Sequence, residues 1–314
     1  MKEEFDINQG HGDHNACLYE SGGEREFLAN WIPRSIAEGE VIGGTKQAIP
    51  CDFGERMSKE MPMLYLGDAK HSLRFGILLA VNEVGKENTL VSAYPEYDGA
   101  KVDVKITKVH EWAAGVEASL EGEVLGESAR QIAFFDTRYA LHKGKYEIGK
   151  TYAFRLSAFA YNAEVVPEKD REFRFEGEKA VEHRKRCGME QEYEKDGSPK
   201  PVVFRMEGMV AYFQKSEAYP DDAEFQSPVF GEIETIAAFD TEFCKINIAI
   251  ARDADDVVIP LVARKSLFQV EPKTKDPVRG VLWLQGYCVD SRVARPTCAS
   301  REIERMKDNG VFSS

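Results

Sequence analysis

One eight-residue string occurs twice in this chain, and that recurrence limits the folds open to it. Ile132-Ala133-Phe134-Phe135-Asp136-Thr137-Arg138-Tyr139 matches Ile236-Ala237-Ala238-Phe239-Asp240-Thr241-Glu242-Phe243 at an offset of 104, with five positions identical. Three further blocks keep the same order. Gly122-Glu123-Val124 stands against Gly231-Glu232-Ile233, the run 102–112 against 203–213, and 156–161 against 282–287 at an offset of 126. Ordered blocks with loop-sized drift are the mark of one structural unit written twice. At 314 residues the chain has room for two such units and more.

Each copy reads as β. Val102, Val104 and Ile106 alternate with Asp103, Lys105 and Thr107, the two-residue period of a strand with one wet face. The runs 151–156 and 278–289 are rich in residues that suit a pleated sheet, and Gly144, Gly149, Gly280 and Gly286 mark turns, bulges or tight bends. Short strands at this spacing predict a mainly β chain. The expected units are two duplicated small β-barrels of the oligonucleotide-binding (OB) type, with a small sandwich as the alternative.

Domain boundaries follow from this reading. Residues 1–70, full of Gly and Pro, predict an irregular N-terminal segment with a short helix at 24–31. The first barrel covers 71–167, and a hairpin of 72–84 and 89–94, turning at 85–88, either completes it or forms a separate lead-in. A connector over 168–200 carries 19 charged residues out of 33 and one helical stretch at 178–186. The second barrel covers 201–290, and a tail over 291–314 offers a short helix near 300–307.

Lys plus Arg is 41 against 54 for Asp plus Glu, a formal charge of −13. A nucleic-acid backbone is repelled by such a balance. Small barrels nonetheless bind single strands through aromatic platforms and a basic groove, so that reading stays as an alternative. Aromatic residues are plentiful. The only compact basic run is His183-Arg184-Lys185-Arg186, and Glu178, Glu182 and Glu190 flank it. No apolar run approaches the roughly 18 residues needed to cross a bilayer. The acidic start lacks the pattern of a signal peptide, and the six cysteines lack that of a disulfide scaffold. A cytoplasmic protein with reduced thiols and no membrane partner is expected.

The repeated Asp-Thr invites comparison with aspartic proteases, duplicated β-proteins whose two Asp-Thr-Gly segments bring two carboxylates together to share a proton. Here Arg138 and Glu242 stand where the tight turn wants glycine. An aspartyl hydrolase is therefore the lesser alternative, and turn capping the simpler role. Asp136, Thr137, Arg138, Asp240, Thr241 and Glu242 are the candidate binding residues, with Arg138 expected to pair with Glu242 across the copies. His11, His14 and Cys17 have spacings a metal could use, but no second ligand pair accompanies them, so no metal or cofactor is assigned. Cys51 and Cys298 lie in loop-like contexts without an evident base. Gly-x-Ser-x-Gly, Walker and Gly-x-Gly-x-x-Gly patterns are absent. The expected function is a non-catalytic binding or scaffold role with a protein partner.

The run Arg279-Gly280-Val281-Leu282-Trp283-Leu284-Gln285-Gly286 resembles a late strand of tandem-barrel bacterial proteins that have no assigned function. The Ile-Ala-x-Phe-Asp-Thr block resembles a mid-barrel strand of the same proteins. The likeness covers about residues 100–290. It implies a tandem OB-like architecture and transfers no catalytic residue.

Overall fold

The computed structural model describes residues 14–50, 58–68, 71–81, 88–112, 115–124, 130–252 and 256–290. A 3₁₀ turn at His14–Cys17 leads into α1 (Glu24–Glu38). The apolar spacing of Phe27, Leu28 and Trp31 places a helix at 24–31, but it continues to Glu38. Pro33 deprives it of one backbone bond, to the Ala29 carbonyl. Arg34 pairs with Glu38 one turn on, and the Gly39 amide donates to the Ser35 carbonyl.

Four antiparallel strands follow in sheet order: β1 (Glu40–Pro50), β2 (Ser58–Gly67), β3 (Leu73–Ala80) and β4 (Thr89–Tyr97). The segment 1–70 is thus not irregular throughout, since it supplies a helix and two strands. Of the two places open to the hairpin of 72–94, it takes that of a separate lead-in, as the other half of this sheet; its turn lies largely outside the described residues. Glycines that read as punctuation are close-approach positions here. A side chain at Gly43 would meet Leu141 at 2.7 Å. β3 is buried along its whole length, and its Phe75 and Ile77 share one core with Phe27 of α1 and with Phe135, Phe159 and Trp283.

A meander comes next: β5 (Ala100–Glu111), β6 (Ala118–Val124) and β7 (Arg130–Asp136), then the single turn α2 (Tyr139–His142) and the long β8 (Thr151–Val165). The connector holds β9 (Glu172–Phe175), α3 (Glu178–Arg186) and β10 (Val202–Arg205), with β9 and β10 paired as a small sheet of their own. Then run β11 (Ala211–Gln214), β12 (Asp222–Pro228), β13 (Phe230–Ala238), β14 (Thr241–Ala251), β15 (Val257–Arg264) and β16 (Pro277–Cys288).

The barrel closes through the last of these. β8 returns antiparallel to β5, and β16 fills the gap, parallel to β7 (Gln285 opposite Phe135) and antiparallel to β8 (Cys288 opposite Phe154). The closed circuit is β5–β6–β7–β16–β8. β8 in turn pairs parallel with β15 (Ala158 opposite Leu261), and β16 antiparallel with β12, so the two long strands serve the sheet on both sides. Phe134, Phe154, Leu120, Ile246, Leu261 and Leu284 belong to the core that these strands enclose. β16 approaches β8 so closely that a Cβ at Gly280 would sit 2.1 Å from the Asn162 carbonyl oxygen.

This wiring corrects the sequence boundaries. The connector at 168–200 does not part the strands of the first barrel from those of the second half, because β16 belongs to the first barrel. Nor does the eight-residue repeat fall on equivalent elements. Residues 132–136 lie in β7 with 137–138 in the turn beyond, whereas 236–243 span the β13–β14 hairpin. A short run of apolar and β-branched residues ending in Asp-Thr suits either place. The parallel pairings join β16 to β7 and β15 to β8.

Candidate functional site

The first Asp-Thr segment is built into the packing. Asp136 is buried, accepts from the Tyr146 hydroxyl at 2.6 Å and from the Arg138 amide at 3.0 Å, and stands 3.8 Å from His142 Nδ1. Burial, and then the Asp136 charge, push the Tyr146 phenol well above its ordinary range. Thr137 and Arg138 turn toward β4 and meet Glu96, which exposes no surface. Glu96 accepts from Thr137 Oγ1 at 2.9 Å, Tyr65 at 2.7 Å, Arg74 Nε at 2.9 Å and Arg138 Nε at 3.2 Å. Burial alone would raise its pKa; Arg138, then Arg74, overcome that and hold it at about 2. The expected Arg138–Glu242 pair is not made. Arg138 is spent on Glu96, and Glu242 faces Lys265 at 3.5 Å. Glu96 left no signal in the sequence, where Tyr94-Pro95-Glu96-Tyr97 reads as an ordinary strand end.

The second Asp-Thr segment is a two-residue hairpin turn. Phe239 and Asp240 have φ of 53° and 56°, the left-handed region that such turns require and that bulky residues resist. The Phe239 ring offsets this by entering an aromatic cluster, 5.1 Å from Trp31, 5.7 Å from Phe27 and 6.0 Å from Phe75 between centroids. Asp240, Thr241 and Glu242 line a cleft of about 500 Å³ between this hairpin, α1 and β3. Asp136 is buried beneath Tyr146 while Asp240 is exposed at the cleft, so these residues do not form the shared-proton pair of an acid protease.

Other chemical candidates are also placed. His14 is buried, stacked 4.2 Å over Trp283 and bonded to Tyr161, and the Cys17 thiol donates to the His14 carbonyl. His11, Cys51 and Cys298 lie outside the described residues. Among the described residues no three ligating side chains come together as a metal would require. Burial pushes the Cys244 thiol up to about 11 and that of Cys288 up to about 12, away from reactivity. Cys187 lies 3.4 Å from His183 Nε2, but the other ring nitrogen faces Arg186, where a nucleophilic pair needs an orienting acid.

The most open apolar surface lies around the connector. A groove of about 850 Å³ runs past Ala163 of β8, Phe225 of β12, Phe213 of β11 and Val270. Beside it, Phe173, Phe175, Phe204 and Met206 form a cup of about 580 Å³, and Met209 lines both hollows. Phe213 and Val270 are 64% and 63% exposed, and Phe173 54%. Such a cluster of large exposed apolar side chains marks an interaction surface. The arginines around it are answered in place. Arg279 pairs with Glu164 and Asp170, Arg174 and Arg205 with Glu172, and Arg171 with Asp276. Glu168 and Glu224 line the groove with no ion pair among the described residues.

Sequence reasoning looked for binding aromatics on the barrel strands, and Phe134, Phe154 and Phe159 are fully buried there. It missed Phe173 and Phe175 because the density of charge in 168–200 reads as a purely solvated connection, and Phe204 and Phe213 because they sit in strand-like runs. No described helix is long and apolar enough to cross a membrane. No protein-family model, curated protein or solved structure matches this chain.

Proposed function

We propose that this protein is a non-catalytic binding module that holds an apolar, basic segment of a partner protein in the groove between β8, β11, β12 and β16. The observation that carries the reading is the pairing of Phe213, Val270 and Met209, all exposed, with a border where Glu168 and Glu224 have no ion pair among the described residues. β11 is the outermost strand of its sheet, which suits the addition of an extended segment. Such interfaces draw their energy from a few desolvated aromatic and aliphatic anchors. We further read the two halves as OB-like barrels that exchange a strand. The support is a three-strand meander, a short helical turn after its third strand, and closure by a strand parallel to that third strand.

Single-stranded nucleic acid is the second reading, favoured by the same wiring and by exposed Phe173 and Phe204. The surrounding guanidinium groups are already neutralised by carboxylates, which weakens phosphate attraction. Affinity purification of the wild type and of Phe213→Asp from host cells tests the first reading. A stoichiometric protein partner should be lost in the variant while the circular dichroism spectrum stays the same; retention of that partner by the variant overturns the groove assignment. Salt-sensitive binding of a labelled oligonucleotide of about 15 residues, lost in Phe204→Ala, would establish the nucleic-acid reading instead.

A further inference from the structure

The cleft beside the β13–β14 hairpin shares no residue with the groove. At about 500 Å³ it falls within the range of small-ligand sites. Its apolar wall is aromatic: Trp31 from α1, Phe75 from β3 and Phe239 from the hairpin turn, meeting edge to face. Among the described residues its charges do not balance. Arg74 is answered by Glu96 and Asp98, Arg34 by Glu38, and the only imidazole, His71, by Asp68. Asp240 has no hydrogen bond or ion pair among the described residues, and Glu242 reaches Lys265 only at 3.5 Å. An aromatic wall thus faces surplus negative charge.

A cation already uses that wall. The Arg34 guanidinium carbon lies 4.5 Å from the centre of the Trp31 ring, with the side chain 53% exposed and paired outward with Glu38. The indole face attracts positive charge through its quadrupole, most strongly where water is excluded. We infer that the cleft binds an organic cation carrying an apolar body. The charge lies over Trp31 and against Asp240, and the body rests on Phe75 and Phe239. The cation comes from a free arylalkylammonium compound or from an arginine side chain, and both present the same chemistry to the cleft.

Calorimetric titration of the full chain at low ionic strength, with four probes, tests this. Benzyltrimethylammonium represents the free arylalkylammonium and N-acetylargininamide the side chain; benzyl alcohol and phenylacetate are the neutral and anionic controls. At least one cation should saturate the protein at roughly tenfold lower concentration than benzyl alcohol, and phenylacetate should not bind. The tighter cation identifies the source. Asp240→Asn keeps a residue that tolerates the left-handed turn, so the fold survives, and it should weaken that cation about fivefold or more. Trp31→Leu should do the same, checked by its melting curve. Equal affinity for cation and alcohol, failure of both cations to saturate, or full affinity in Asp240→Asn overturns the inference.

Discussion

Arg138 lies flat on Tyr287, its guanidinium carbon 3.7 Å from the ring centre, and from that position its charge reaches Glu96. The turn after β7 is thereby tied to β4, and Arg74 meets the same carboxylate from β3. Removing Glu96 leaves two guanidinium groups facing each other in a buried place. Glu96→Ala is expected to cost about 3–5 kcal/mol in urea unfolding, well beyond the loss from Glu242→Ala on the surface. Similar midpoints for the two variants would refute the tie.

The same carboxylate sets an acid limit. Its pKa is about 2 in the fold against an ordinary 4.5. A lowered acid lends stability that is complete above the ordinary value and fades as pH falls from about 4.5 toward 2. Urea midpoints of the wild type should drop steeply across that window. Glu96→Gln should start lower and lack the step.

Asp222 acts in the opposite sense. Burial first, and the neighbouring Asp221 charge second, push it up to about 7 from an ordinary 3.8, while the Tyr161 hydrogen bond works against them. Its protonated form is favoured in the fold, so its contribution is best at low pH and declines as pH rises from about 4 through 7. Asp222→Asn should flatten this part of the profile. Thermal melts at pH 5, 6, 7 and 8 that run parallel for both proteins would rule the effect out.

The β13–β14 turn separates stability from binding. Asp240→Gly relieves a left-handed residue and should gain up to about 1 kcal/mol while removing the carboxylate from the cleft. Phe239→Ala keeps the awkward backbone and empties the aromatic cluster, a loss of about 3 kcal/mol. A melting temperature that falls in Asp240→Gly would contradict the strain.

Gly280→Ala forces β16 away from β8 and should cost more than about 2 kcal/mol, whereas Gly208→Ala, with nothing within 4 Å, should cost little. Equal costs would mean that the strands separate without penalty.

Local patterns were legible and remote ones were not. β5 could be read from Val102, Val104 and Ile106, and α3 falls on 178–186 as its sequence predicts, because each signal lies within a few residues. β1 and β2 were hidden because Gly43 and Gly44 look like breaks until Leu141 is seen to need the space. The parallel pairing of Gln285 with Phe135 has no local trace at all. Asp240 lies at a cleft because of where α1 docks, and nothing beside it in the sequence says so. Glu96 and Phe213 mislead in opposite ways: a strand-end acid is fully buried, and an aromatic residue in a strand is left outside.

β16 has a consequence in time. A ribosome releases β5 through β8 about 6 to 25 s before the strand that closes their barrel emerges. During that interval β7 and β8 present open edges to every other nascent chain, a situation in which chaperones are commonly engaged. Once β16 is seated the order of synthesis is erased. A nick in the connector would then leave both pieces bound to each other, because the closed barrel takes β5 to β8 from one piece and β16 from the other.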